Sequence, residues 1–147
     1  MPENIDCGRD SGDRKARRQL RLLVVDDSQE VLQSLGDCLR SFDHEVTLAL
    51  GPREALALYE PGKFDVVLTD LCMPGMNGES LAGVIAERSP GQRTLVMSAR
   101  QEVIRWMNGG GSPISAFLPK PFEVEEFLNI VDRLIDVDGT LPSGTVL

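Results

Sequence analysis

Apolar residues along this chain follow two alternating rhythms. Short, nearly continuous apolar runs occupy residues 21–25, 45–50, 64–69, 93–97 and 115–118. Between them lie stretches whose apolar positions recur every three or four residues. The first kind reads as β-strand and the second as amphipathic helix. Over 29–42, Val31, Leu35, Cys38 and Phe42 form a stripe with Leu32 and Leu39 beside it, and Ser28 stands where an N-cap belongs. Cys38 is therefore expected on the core face as a reduced packing residue. Ala55, Leu56 and Tyr59 mark a short helix over 53–60. Leu81, Val84 and Ile85 mark another over 79–88, stopped by Pro90-Gly91. Val124, Phe127, Leu128, Val131, Leu134 and Ile135 give the clearest stripe, over 123–136. Between the fourth and fifth strands, Arg100 to Asn108 offers a short helix before Gly109-Gly110-Gly111-Ser112-Pro113 breaks it. That fourth helix is expected to be short or mobile, with Trp106 either in the core beneath it or exposed as a contact residue.

Five strands alternating with helices predict an α/β fold: a doubly wound parallel sheet with helices on both faces. The first and third strands are almost wholly apolar, as central strands buried on both sides must be. That favours the flavodoxin-like order 2-1-3-4-5, with its switch point between strands one and three. A parallel sheet gathers the carboxyl ends of its strands along one edge. Four polar signals stand at those ends: Asp26-Asp27, Asp70, Ser98 and Lys120.

An acidic pair at a strand end is, taken singly, more often an N-cap or a solvated turn. Asp26-Asp27 and Asp70 at facing ends of two central strands point instead to a metal site. Clustered carboxylates need a positive neighbour, and magnesium takes one or two carboxylates together with phosphate oxygen. A carboxylate can also act as a nucleophile and form an acyl phosphate. The transferred group then needs positioning and charge stabilisation. Lys120, one of three lysines in the chain, supplies a point charge, and Ser98 a hydroxyl donor. Pro119 and Pro121 flank Lys120, which makes Lys120–Pro121 a candidate cis peptide.

Composition narrows the partners. The 147 residues carry a net charge of −8, which repels nucleic acid phosphates and anionic membranes. No apolar run approaches the roughly 20 residues of a membrane span. The first residues lack a secretory apolar core, so a cytoplasmic location is expected. Cys7, Cys38 and Cys72 show no metal-type spacing. Residues 1–19 read as a flexible polar tail. Its basic cluster of Lys15, Arg17 and Arg18, with Arg21 just beyond, is either solvated or a grip for an acidic partner. Residues 20–137 form the domain and 138–147 a loose tail. His44 is expected as a turn residue leading into strand two.

The chain resembles a receiver domain of bacterial two-component signalling. The matching residues are Val25-Asp26-Asp27-Ser28, then Asp70-Leu71-Cys72-Met73-Pro74-Gly75-Met76-Asn77-Gly78, then Met97-Ser98-Ala99, and Phe117-Leu118-Pro119-Lys120-Pro121-Phe122. The likeness spans residues 20–137, and the second half is similar to receivers at the C-terminus of hybrid histidine kinases. The resemblance implies a role for each position. Asp70 is the phospho-acceptor. Asp27 ligates magnesium directly, with Asp26 in support, and Asp70 and the backbone carbonyl of Cys72 complete the protein ligands. Ser98 and the backbone N–H of Ala99 bind phosphoryl oxygens, and Lys120 pairs with Asp70 or its phosphate. Phe117 is the aromatic switch that turns inward when Ser98 moves to the phosphate. Cys72 and Arg100 occupy positions that in the family flank the phosphate and tune its lifetime. Arg100 is either a phosphate contact or shield or a solvated helix-start residue, and Cys72 is expected to be passive rather than redox-active.

These roles imply a signalling module rather than an enzyme, one that assists its own magnesium-dependent phosphorylation and dephosphorylation. It would accept a phosphoryl group from a sensor histidine kinase or a histidine phosphotransfer protein. A protein-interaction surface would then switch toward a downstream protein, with no direct contact with nucleic acid or membrane and with room for a homodimer. No output domain is expected after the last helix. The alternative is a phosphate-independent interaction module on the same fold. A flavin carrier is disfavoured because Asp26-Asp27 would repel a cofactor phosphate. A phosphohydrolase would want a second acid placed to protonate a leaving group. The glycine-rich run at 109–113 departs from the family at the surface of helix four, strand five and helix five, through which receivers commonly signal.

Overall fold

The computed structural model describes residues 19–99 and 114–136. The two tails, the helix expected from Arg100, and Trp106 lie outside the described residues. In chain order the elements are β1 (Arg21–Asp26), α1 (Gln29–Ser41), β2 (Glu45–Leu50), α2 (Pro52–Leu58), β3 (Val66–Asp70), α3 (Gly78–Arg88), β4 (Arg93–Ser98), β5 (Ala116–Pro119) and α4 (Val124–Asp136). All neighbouring strands pair in parallel, in the expected order β2-β1-β3-β4-β5.

Leu22 to Val25 in β1 and Val66 to Leu68 in β3 have no exposed surface. Successive residues of a strand face opposite sides of the sheet, so a strand covered on both faces must be apolar throughout. Leu22, Val24, Val66 and Leu68 pack with Leu32 and Leu39 of α1 and with Phe127, Leu128 and Val131 of α4. Leu23, Val25 and Val67 pack on the other face with Ala55 of α2 and with Leu81 and Ile85 of α3. Each of the larger apolar side chains contributes about 1.5–3 kcal/mol on full burial, so both layers hold the strand ends firmly.

Helix α1 starts where the sequence predicts, with Ser28 Oγ accepting the Val31 N–H at 3.3 Å. Its buried face is Leu32, Gly36 and Leu39. Cys38 is exposed, contrary to the expectation that it packs in the core. Two overlapping stripes were available in this helix, and Gly36 selects one of them. A Cβ there would lie only 3.1 Å from Leu48 Cδ2, so the helix lies against β2 along its Gly36 side and turns Cys38 outward.

The edge where the strands begin is closed by polar contacts. Asp65 Oδ2 accepts the Arg21 backbone N–H at 2.8 Å and Arg21 Nε at 3.2 Å, and Asp65 Oδ1 accepts Nη2 at 3.0 Å. Arg21 Nη1 donates to the Gly62 carbonyl at 3.1 Å. The hydrogen bond to Asp65, and then the charge of Asp65, hold the Arg21 guanidinium above its ordinary pKa. Arg21 is thus engaged by Asp65. β3 begins at Val66, two residues later than the apolar run suggests, with Asp65 committed to Arg21. His44 lies in the turn leading into β2, as expected; it is buried there, and its Nδ1 accepts the Leu20 N–H at 3.0 Å. Among the described residues no helix is long and apolar enough to cross a membrane.

Candidate functional site

The opposite edge, where the strands end, collects the polar residues. Parallel register sets Asp70 beside Met97 and Ser98 beside Pro119, while Asp26 lies opposite Leu50. One carboxylate oxygen from each of Asp26, Asp27 and Asp70 lies within 4.8 Å of the others. Asp26 and Asp70 are buried and Asp27 is exposed. The cluster therefore opens to solvent on the Asp27 side and is backed by the sheet on the other.

Asp26 is held from one side only. Its Oδ1 accepts the Ser28 N–H at 2.9 Å, while Oδ2 is buried with no hydrogen-bond partner. The Lys120 ammonium stands 3.5 Å from that Oδ2, an ion-pair contact too long for a good hydrogen bond. Burial pushes the Asp26 carboxyl above the usual carboxylate range. The Ser28 N–H opposes this, while the Asp70 charge adds to it.

Lys120 Nζ donates to Asp70 Oδ1 at 2.9 Å, which fixes the ammonium between Asp26 and Asp70. Burial by itself lowers the Lys120 pKa. The Asp70 hydrogen bond and charge, with the Asp26 charge, outweigh it and leave the ammonium above its ordinary value. The main chain brings Lys120 to this place, because its N–H donates to the Ser98 carbonyl at 2.8 Å. The Lys120–Pro121 peptide is cis, as the flanking prolines suggest.

The other sequence candidates sit around this centre. Ser98 is buried at the end of β4 and Ala99 is exposed directly after it. Cys72 is exposed in the loop after Asp70. Phe117 is half-buried in β5, opposite Val96. Asp26, Asp27, Asp70 and Lys120 are thus drawn together, with Ser98, Ala99 and Cys72 near the same edge and Phe117 farther back along β5. Arg100 lies outside the described residues.

Two residues that the sequence marks only as strand and turn also bear on Asp70. Thr69 Oγ1 donates to the Asp70 carbonyl at 3.0 Å, and Gly78 packs its backbone against that same carbonyl. Glycine at a helix start after a loop reads as turn geometry; only the folded chain reveals what it touches.

An oxygen nucleophile beside a half-buried ammonium and two further carboxylates can hold a hard divalent cation and receive an electrophilic group. Residues 22–132 match the model of the response regulator receiver domain family. The chain is 34% identical over 110 residues to a response regulator receiver protein of Anaeromyxobacter sp. strain Fw109-5, covering 75% of this chain and 46% of that protein. It is 32% identical over 128 residues to the response regulator protein FleR of Pseudomonas aeruginosa, covering 86% of this chain and 27% of FleR. It thus spans less than half the length of either relative. The non-phosphorylated HemR receiver domain of Leptospira biflexa superposes with a TM-score of 0.67 at 32% identity, over 86% of this chain and 98% of that one. The response regulator protein TrrA of Thermotoga maritima, solved in complex with Mg2+-BeF, does so with a TM-score of 0.67 at 26% identity, over 77% of this chain and 96% of TrrA. The chain belongs to the response regulator receiver domain family.

Proposed function

From this receiver identity, we propose that the chain takes a phosphoryl group from the histidine of a sensor kinase or phosphotransfer protein onto Asp70, and that the modified Asp70 switches a protein-binding surface. The observation that carries this reading is the Lys120–Asp70 contact of 2.9 Å beside a buried Asp26 oxygen that lacks a hydrogen-bond partner. A structural ion pair has no need of a second buried carboxylate crowded against the same ammonium. The module runs over residues 20–137 and acts in the cytoplasm.

The residues fit a magnesium ion. Three carboxylates converge, and the Asp26 oxygen that lacks a hydrogen bond offers a hard ligand. Asp26, Asp27 and Asp70, with the backbone carbonyl of Cys72, would hold the ion, which would neutralise charge on the phosphoryl oxygens. In the transfer, an Asp70 carboxylate oxygen bonds to phosphorus as the bond to the donor's imidazole nitrogen breaks, and the electron pair leaves with the nitrogen. Lys120 accompanies the charge as it passes from carboxylate to phosphoryl oxygens. The Ser98 hydroxyl and the Ala99 N–H donate to those oxygens. Ser98 and Lys120 are joined through the Ser98 carbonyl, and Phe117 lies in the strand beside Ser98, so a movement of Ser98 is felt along β5. The acyl phosphate shifts an equilibrium between two arrangements of that surface.

Incubation with labelled acetyl phosphate, with and without magnesium, tests the acceptor, and profiling against purified histidine kinases tests the donor. Magnesium-dependent label on the wild-type chain supports the reading. A chain that takes no label from any donor favours a phosphate-independent interaction module instead.

A further inference from the structure

Two glycines in the loop between β3 and α3 do different work. Gly75 has φ +90° with nothing near its missing side chain, so it serves the backbone turn. Gly78 is the first residue of α3, a helical position open to any residue. What it lacks is room. A Cβ there would press into the Asp70 carbonyl oxygen and reach 3.0 Å from Leu71 Cα and 3.2 Å from the Asp70 carbonyl carbon. All three are main-chain atoms, which cannot swing aside as a flexible side chain can.

Neither partner in that contact can retreat. Leu81 and Ile85 lock α3 into the core with no exposed surface. The main chain after the acceptor is held on both sides: Leu71 N–H donates to the Met97 carbonyl at 2.8 Å, and Gly78 N–H donates to the Leu71 carbonyl at 2.8 Å. Thr69 Oγ1 holds the Asp70 carbonyl itself at 3.0 Å. Resting on the reading of Asp70 as acceptor and ligand, we infer that Gly78 and Thr69 are positioning residues: they clamp the Asp70 peptide so that its carboxylate meets both the cation and the incoming phosphorus. A methyl group at 78 moves the end of β3, and Asp70 with it, by a fraction of an ångström while removing no charged group, and reaction geometry is sensitive to shifts of this size.

The test compares Gly78→Ala, Thr69→Val and Gly62→Ala in the full chain. Gly62, with φ +82° and open space around it, lies at the opposite edge of the sheet. Magnesium affinity is measured by calorimetry, labelling by acetyl phosphate at saturating magnesium and donor, and folding by circular dichroism and Tm. Gly78→Ala is expected to lose about tenfold in maximal labelling rate and to bind magnesium several-fold more weakly, at temperatures where it is fully folded. Thr69→Val loses less in the same two readouts. Gly62→Ala lowers Tm and leaves both unchanged. Folded Gly78→Ala with wild-type affinity and rate overturns the inference; if that variant does not fold, Thr69→Val decides in the same way. If wild type binds magnesium but takes no label, the acceptor reading fails, and the magnesium affinities still decide the clamp.

Discussion

Where the strands of this sheet begin, opposite charges meet: Arg21 lies in a two-pronged contact with Asp65. Where the same strands end, like charges meet. Three carboxylates share a space of 4.8 Å with one ammonium among them, and a buried oxygen is left without a hydrogen bond. A chain selected only for stability would finish both edges the first way. Burying a carboxylate beside two others costs free energy unless a partner arrives, and a violated rule of this kind marks a place kept for function. The difference teaches that the paired edge holds the fold and the crowded edge is held ready for a cation.

The sharpest way to break this comparison is Asp70→Asn. Labelling is expected to vanish while Tm is retained or raised, since one of the repelling charges is gone. Label persisting in the variant at the wild-type level would contradict the acceptor assignment, since another residue would then carry it.

Lys120→Ala comes next. Removing the single ammonium leaves Asp26 and Asp70 unneutralised, and the metal-free protein is expected to lose about 2 kcal/mol by urea denaturation. Magnesium binding persists, while the conformational shift on phosphorylation is lost. The pH dependence follows from the raised Lys120 pKa. The stability that this group contributes is fully present below its ordinary pKa and lost as pH rises through the folded value. Wild type therefore approaches the variant's stability in strong alkali. Equal stability of the two proteins at neutral pH would count against the role given to the ammonium.

Asp26→Asn has the opposite sign. It removes a buried charge and is expected to stabilise the metal-free protein by about 1 kcal/mol, while weakening magnesium binding. Because the folded-state pKa of Asp26 is raised, the folded chain holds this proton to higher pH than the unfolded chain does. Stability from that group accordingly falls as pH rises through the acid range. The difference between wild type and variant should grow across that range and then level off; a flat difference would remove the buried-charge explanation.

The smallest effect belongs to the paired edge. Arg21→Ala is expected to lower Tm slightly, because the contact is exposed and screened, and to leave labelling and magnesium affinity unchanged. A change in either would mean that the two edges are coupled.

Much of this was legible in the sequence because parallel strands buried on both faces write themselves as continuous apolar runs. Leu22 to Val25 and Val66 to Leu68 could be placed centrally on that ground, and Asp26, Asp70 and Lys120 followed from where the runs stop. The misreading at Cys38 has a physical cause. A three-or-four spacing admits two adjacent stripes, and the contact between Gly36 and Leu48, remote in sequence, chooses between them. His44 stands in the turn before β2, where the sequence places it; its burial and its hydrogen bond back to Leu20 are not legible, because a lone histidine carries no pattern. Gly78 was visible as a turn former, while its steric role needed the Asp70 carbonyl to be brought against it.

The central claim is that the crowded edge makes Asp70 a magnesium-dependent phosphoryl acceptor. Treatment with acetyl phosphate, followed by borohydride reduction and peptide mass spectrometry, tests it at a single residue. The account predicts homoserine at position 70 when magnesium is present and aspartate there when the metal is chelated. Unmodified Asp70 under both conditions, or modification at another aspartate, would contradict it.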